Sequence, residues 1–527
     1  MKMKKLWPLL VILLLSGWGC FDPEEPSQER DAGSVEDAAG GDADDEDAAS
    51  LDTGGSDTGE SPDADPGDAD AEPGDPDADP EDADPADPDT DPPDPTCTPS
   101  DTPQYDLYAS PTGQPGAAGT SDDPLDLATA LSSSGPVAPG DRVALKAGTY
   151  AGAFVSELAG TSSAPIIVEA KPGARVILDS AGQDAESGLV INGEWAEFHG
   201  LEVTSTGANR QNNLSGVTIY GPNTKLVNSV IHNTAQGISF WRPAIDSELY
   251  GNIIYNNGYE GSTRGHGHAI YMQNADGTKV LEKNIIFFGY GFGIHAYTEG
   301  GSIQGFDLIE NVWFRAGASL PGSSTEGTSD NCLIGGLQPV ARTQLIGNHS
   351  WGPEISSRNV RIGWGGSVQN DDITLIDNYF VGYLGFQGHW LSGTIHGNTF
   401  HSETSGIHPP DYPDNIYDDQ LPSGSRVVVQ PNDYDERRAD LIIYNFDDAD
   451  TVSVDLSDVL EEGVSFEIFS VFDLQGTPVF SGSYDGTDIE VPMGSVDPPQ
   501  PSGDPNAITG DDDPGKAFGV FVVRWSC

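Results

Sequence analysis

From residue 103 onward the apolar residues of this chain come in short β-branched and aromatic runs broken by Gly, Asn and Ser, and helical spacing is confined to residues 125–131. Short apolar runs between turn residues are a strand pattern, so the region is expected to be all β. One unit recurs: an apolar pair, a short spacer, Asn, and a further apolar stretch. It reads Leu226-Val227-Asn228, Leu249-Tyr250-Gly251-Asn252, Val280-Leu281-Glu282-Lys283-Asn284, Leu308-Ile309-Glu310-Asn311, Leu345-Ile346-Gly347-Asn348, Leu375-Ile376-Asp377-Asn378 and Thr394-Ile395-His396-Gly397-Asn398. The asparagines are 24, 32, 27, 37, 30 and 20 residues apart, a period that implies a solenoid. Too few residues separate the strands for helical crossovers, so three strands per turn are expected, stacked on the next turn at about 4.8 Å. The Asn is expected at a corner, where it tolerates left-handed φ and its amide can stack on the next.

These units resemble the right-handed parallel β-helix proteins of the polysaccharide-lyase-like superfamily, over about residues 105–410. Leu107-Tyr108-Ala109-Ser110-Pro111 through Ala138-Pro139-Gly140-Asp141 to Leu145-Lys146-Ala147-Gly148-Thr149-Tyr150 resembles their usual opening, in which a short helix covers the first coil and blocks its open strand edge. The expected fold is therefore all-β, a right-handed parallel β-helix over 103–412 followed by a C-terminal antiparallel β-sandwich-like domain over 413–527. In the latter the Asn units stop, and 426–430, 440–446, 451–456, 465–472 and 518–525 alternate between polar turns. Its expected role is to cap the last coil; carbohydrate binding is the rival.

Charge and the N-terminus add a location. Met1 to Lys5 carry three lysines, residues 6–15 are apolar, and Ser16-Gly17-Trp18-Gly19 lead to Cys20. This is an export signal, too short to span a bilayer. Residues 1–20 resemble a bacterial lipoprotein signal peptide with Cys20 as the acylated residue, although Gly17 and Trp18 depart from the usual lipobox and leave cleavage by ordinary signal peptidase as the rival. The net charge is −61, and residues 21–100 supply −29 of it, from 30 acidic residues and one Arg. Such an Asp/Pro-rich tract cannot bury a core, so 21–102 is expected to be a disordered linker. The balance excludes a nucleic-acid binder that relies on bulk electrostatics. Export permits disulfides; Cys97 paired with Cys527 is favoured, with Cys332 buried as a small apolar residue.

Aligning strands that follow Gly sends Val217, Ile238, Ile270 and Ile294 inward and leaves two outward columns. One holds Thr218, Ser239, Tyr271, His295 and, beyond a coil of unfixed register, Arg361; the other holds Tyr220, Trp241, Gln273 and Tyr297. Aromatic faces flanked by His and Arg suit a sugar chain. The densest chemistry is Arg264-Gly265-His266-Gly267-His268-Ala269-Ile270-Tyr271, followed a coil later by His295, Tyr297 and Glu299. A Tyr and a His on adjacent coils can serve as acid and base in β-elimination from a uronic acid, with Arg264, Arg242 or Arg361 neutralising the carboxylate. The candidates are thus Tyr271, His295, His268, Arg264 and Arg361 for catalysis, and Tyr220, Trp241, Arg242, Gln273, Tyr297 and Glu299 for substrate. Arg358, Trp364 and His389 would mark a different face. A zinc site from His266, His268 and His295 is a rival that no thiolate or helical His pair supports.

Gly265-His266-Gly267, and more faintly Arg361-Ile362-Gly363, resemble polygalacturonase-like hydrolases, but the Asn-Thr-Asp and Asp-Asp motifs expected before Gly-His-Gly do not occur there. The plan also resembles chondroitinase-B-like and alginate lyases, which use a Lys and Arg pair with calcium; Lys279 and Lys283 are the nearby lysines, and both lie off the outward columns. The expectation is a monomeric, lipid-anchored protein of the outer membrane or cell surface, or else a secreted one. It would bind an extracellular polysaccharide and degrade it as a lyase, with calcium the one cofactor the resemblance suggests. The rival is a non-catalytic β-helix adhesin or glycan-binding protein.

Overall fold

The computed structural model describes residues 103–526, apart from Ala208, Thr263, 323–328, 353–357, Pro505 and Asp511. The expected signal peptide and linker, the expected acylation of Cys20 and the expected Cys97–Cys527 pair all lie outside the described residues. Each coil contributes three short strands. One coil runs through Lys225–Val227, Val230–His232 and Ile238–Phe240, and the next through Ser247–Tyr250, Ile253–Tyr255 and Ile270–Met272. Equivalent strands of successive coils pair in parallel. Among the described residues they form three sheets of eleven, eleven and ten strands. Sheet 1 runs from Leu107–Ala109 to His389–His396, sheet 2 from Gly148–Ala151 to Ile416–Asp418, and sheet 3 from Phe154–Ser156 to Thr404–Ser405. This is the right-handed parallel β-helix.

Parallel register stacks like on like. From sheet 3, Val217, Ile238, Ile270, Ile294, Cys332 and Val360 fall in one inward column, and from sheet 1 Phe198, Leu226, Leu249, Leu281, Leu308, Leu345 and Leu375 fall in another. All are buried, and each such side chain contributes about 1.5–3 kcal/mol. Cys332 is a free thiol, and burial pushes its pKa well above the usual range.

The corner between sheets 1 and 2 holds the asparagine column, which runs Asn252, Asn284, Asn311, Asn348, Asn378, Asn398 and Asn415. Each Nδ2 donates to the next Oδ1 at 2.7–3.0 Å, and each Oδ1 after the first also accepts the preceding backbone N–H. Two expectations need correction here. The left-handed residue is the one before the Asn, as at Lys283 (φ 51°), Glu310 (φ 52°), Asp377 (φ 55°) and Gly251 (φ 63°); the Asn serves through its amide. Asn228 occupies that left-handed place (φ 49°), so Ser229 takes the column position and donates its N–H to Asn252 Oδ1 at 3.0 Å.

At the entrance, the helix Leu127–Leu131 is capped by Asp126, whose side chain accepts the Thr129 N–H at 3.0 Å. It buries Leu127, Ala130 and Leu131 over the first coil. Residues 119–125 cover the edge of Leu107–Ala109: Tyr108 N–H donates to Gly119 O, and Tyr108 O accepts from Leu125 N–H.

The C-terminal strands form a five-stranded antiparallel sheet with Phe518–Ser526 at its centre, and Thr451–Val454 pairs separately with Ile489–Pro492. Their position corrects the expected end cap, because the sheet lies along the flank on the outer face of sheet 2. Strand Arg438–Asn445 is buried throughout. Its Leu441 and Ile443 face the sandwich interior, and its Ile442 and Tyr444 pack with Ile285, Phe287, Phe314, Trp351 and Val381 of sheet 2. An apolar run on both faces is what a strand buried on both sides requires. Sheet 2 offers this face because His232, Tyr255, Phe287 and Phe314 stack in a column at 5.0–5.1 Å between centroids.

Replacing Asn311 by Leu removes donors to Leu281 O (2.7 Å) and Asn348 Oδ1 (3.0 Å) and the acceptor of Asn284 N–H and Nδ2. Urea unfolding should show a loss of about 1–3 kcal/mol for each buried group left unpaired. An unchanged midpoint would show that the column does not hold the coils together.

Candidate functional site

Sheet 3 is the parallel sheet that carries the predicted chemistry, and its register is set where backbone approaches backbone. A Cβ at Gly237 would lie 2.3 Å from Ala269 O of the next coil, so the strand can start there only with glycine. In the resulting column Thr218, Ser239, Tyr271, His295, Leu333 and Arg361 are successive partners. Leu333 fills the coil whose register the sequence leaves open. Thr218 and Ser239 are buried and bonded sideways, to Ser187 Oγ and Gln236 Nε2 at 2.6 Å each. The accessible part of the face therefore begins at Trp241 and Tyr271.

From there the side chains form one continuous series. Trp241 meets Tyr271 edge to face at 5.5 Å, and Tyr271 meets His295 at 5.4 Å. His268 lies 4.3 Å from His295, and Phe292 and Tyr297 stack on the two sides of His295 at 4.5 and 5.0 Å. Tyr297 meets Trp364 at 5.5 Å, and the Arg361 guanidinium lies 5.2 Å from the Trp364 ring centroid. Gln273 Nε2 donates to Tyr271 Oη at 3.2 Å. His268 Nδ1 accepts the Phe292 N–H at 3.1 Å, so the neutral ring carries its proton on Nε2.

Other predicted residues stand apart or are otherwise engaged. Tyr220 donates to Glu186 at 2.7 Å. His266 is buried in the hairpin of Tyr259–Glu260 with Gly265–His266 and stacks on Tyr259 at 5.4 Å, so the Gly-His-Gly motif forms a packed arm. Arg264 lies on that arm and donates to Gly265 O at 3.3 Å. Glu299 is exposed, with its carbonyl oxygen accepting from Gln338. Arg358 and Trp364, assigned above to a different face, belong to this one through Asp330 and Tyr297.

Two residues went unpredicted, Phe292 and Asp330, each three positions before the Tyr271 and His295 column. Asp330 is 1 % exposed and accepts from Arg361 Nη2 at 2.6 Å. Burial pushes its carboxyl up to about 6, against the pull of Arg361. Arg361 is thus already compensated. Arg242 differs: its Nε is buried with no hydrogen-bond partner among the described residues, and Gly301 packs against both Arg242 and Gln273. Among the described residues no three His, Cys, Asp or Glu side chains come together. Among the described residues the carboxylate within the series is Asp330, held by arginines, which does not fit the oxygen shell that calcium requires.

The turn that presents Trp241 and Arg242 rests on a buried lysine. Lys279 is 0 % exposed inside the coil, and its Nζ donates to Trp241 O at 2.8 Å and Ala244 O at 2.7 Å, 3.6 Å above the Phe240 ring centroid. Burial lowers its pKa well below the usual lysine range.

A family profile described as "Pel9A-like, right handed beta helix region" matches residues 107–327. Among solved structures, the chain is similar to pectate lyase Pel9A, at 19% identity over 60% of this chain and 81% of that one, with a TM-score of 0.40. It is also similar to an alginate lyase from Paenibacillus sp. str. FPU-7, at 17% identity over 53% and 96%, with a TM-score of 0.35. No curated protein matches it.

Asp330 links this face to pH. An acid whose pKa is raised on folding contributes stability that is full below the ordinary carboxyl range and is lost as pH rises through about 6. Wild-type stability relative to Asp330→Asn should therefore fall by roughly 3 kcal/mol between pH 4 and 7. Urea titrations across that range check it, and a pH-independent difference would place Asp330 at an ordinary pKa.

Proposed function

We propose that the protein binds an extracellular polysaccharide on sheet 3 and cleaves uronic-acid-containing chains by β-elimination. The observation that carries this reading is the pairing of Tyr271 with His295 on adjacent coils, within one aromatic series that begins at Trp241, next to Arg242, whose buried Nε has no hydrogen-bond partner among the described residues. A sugar ring would pack its apolar face on Trp241, Tyr297 or Trp364. Arg242 would neutralise the substrate carboxylate and so acidify the proton next to it. His295 would take that proton; the electron pair would form the C4–C5 double bond, the C4–O bond would break, and Tyr271 would donate its hydroxyl proton to the departing oxygen. The Pel9A-like profile covers the coils that bear Tyr271 and His295.

A second reading, glycan binding without cleavage, is favoured by one observation: His295 is only 9 % exposed, between Phe292 and Tyr297. The variants separate the two. Tyr271→Phe and His295→Ala should each lower turnover about 100-fold or more, read as ultraviolet absorbance of unsaturated product, while the fold and much of the affinity survive. Trp241→Ala should weaken glycan binding by about 1–2 kcal/mol with a smaller effect on chemistry. Wild type that binds but yields no unsaturated product would establish the binding module.

For location, we propose that Cys20 is acylated and that residues 21–102 tether the folded part to the outer membrane or cell surface. The protein should fractionate with membranes, and Cys20→Ser should release it. Wild type found unlipidated in the medium would overturn the anchor.

A further inference from the structure

Around the corner from Trp241, the turns that lead from sheet 3 into sheet 1 open into a cleft of about 460 Å³. Trp195, Glu197, Lys225, Asp246, Glu248 and Thr278 line it. Glu197, Lys225 and Glu248 are partners on three successive coils, so two carboxylates flank one ammonium along the outer face of sheet 1. Lys225 Nζ lies 3.1 Å from Glu248 Oε2 and donates to Tyr434 Oη at 2.6 Å, which ties the cleft to the C-terminal sheet. The Tyr434 hydroxyl in turn donates to Glu248 at 3.2 Å. At the rim, Asp246 accepts the Thr278 N–H at 2.9 Å.

The charge of this cleft is the reverse of what a uronate needs. Asp246, Glu197 and Glu248 face a single ammonium. Burial alone would raise Glu197, but its hydrogen bond from His199 and the charge of Lys225 hold it below the usual carboxylate range, so it is ionised at neutral pH. An acidic sugar is repelled here, while a donor-rich one meets ready acceptors. Trp195 supplies the aromatic surface. It sits at φ 51°, in the left-handed region that glycine adopts freely and a bulky side chain does not. The same left-handed corner recurs on the next two coils at Asn223 (φ 56°) and Asp246 (φ 54°), and on the first of the three it carries a large aromatic ring on the wall of the open cleft.

We propose that this cleft is a second carbohydrate site, for a sugar unit that carries hydroxyl or amino donors and no acid group. Its apolar face packs on Trp195, and its donors reach Glu197 and Glu248. The site is independent of the reading of sheet 3, since none of its residues belongs to the Tyr271 and His295 series. A substrate of mixed composition could lay an acidic unit on sheet 3 and a neutral or aminated one here.

Calorimetric titration of the full-length protein with hexamers of glucose, glucosamine and galacturonic acid tests this. The glucose or glucosamine hexamer should bind, and Trp195→Ala should weaken that binding at least tenfold. Glu248→Gln, whose side chain keeps the same shape, should weaken it severalfold. Tyr271→Phe should leave it unchanged, and Trp195→Ala should leave galacturonic acid hexamer binding unchanged. Binding of neither the neutral nor the aminated hexamer would overturn the proposal, as would binding that survives both Trp195→Ala and Glu248→Gln. Loss of uronate cleavage in Tyr271→Phe, with this binding intact, bears on sheet 3 alone.

Discussion

The side-by-side stacking of parallel strands in one register places every side chain that this molecule can use. A parallel pair has no freedom to turn a residue to the other face without displacing its whole strand. The asparagine column pins that register, because each amide bonds to the coil on either side and satisfies backbone groups that no water reaches. Tyr271 and His295 are therefore neighbours as a consequence of Asn252 and Asn284 lying in register at another corner of the same coils. Lys279 extends the dependence inward: a buried amine holds the carbonyls of the turn that carries Trp241 and Arg242.

The same stacking produces three outer faces, and they are used unequally. Sheet 2 gathers Tyr255, Phe287, Phe314 and Trp351 into an aromatic surface that the C-terminal sheet covers, with Phe518 stacked on Trp351 at 5.4 Å. Polar ties fix its position along the coils, among them Lys283 to Asp433 at 2.9 Å, Arg438 to Asn228 at 3.0 Å and Arg210 to Ser502 O at 2.8 Å. Sheets 1 and 3 keep their partly exposed polar and aromatic residues, and both sets of candidate functional side chains lie on them. Tyr434 shows that the cover also reaches round to sheet 1.

Much of this was legible in the sequence, for a physical reason. A repeat imposed by stacking writes its period into Asn and β-branched residues, so the fold, the inward column from Val217 to Ile294 and the pairing of Tyr271 with His295 could be read directly. The errors occurred where one residue does the work of its neighbour. Ser229 replaces an asparagine in the column, which shifted Asn228 into a role it does not have, and Asn415 lacks the apolar pair that marks the other units. Asp330 was missed because the inserted residues between Phe314 and Cys332 hide the register of that coil, whereas Phe292 lay on a coil of known register and could have been read as the counterpart of His268, three positions before the outward residue. The flank position of the C-terminal sheet had a signal too, in the unbroken apolar run Leu441-Ile442-Ile443-Tyr444, which an end cap with one wet face would not need.

Strand order in the C-terminal sheet carries a temporal consequence. Its central strand, Phe518–Ser526, pairs with both Arg438–Asn445 and Ser465–Ser470, although it follows them both in the chain. During vectorial synthesis the coils can assemble one upon another as they emerge, since each needs only its predecessor. The cover cannot close until its central strand has arrived. For that interval the aromatic surface of sheet 2 stands open to water and to other chains, which makes the last strand the point at which the nascent molecule stops being adhesive to itself.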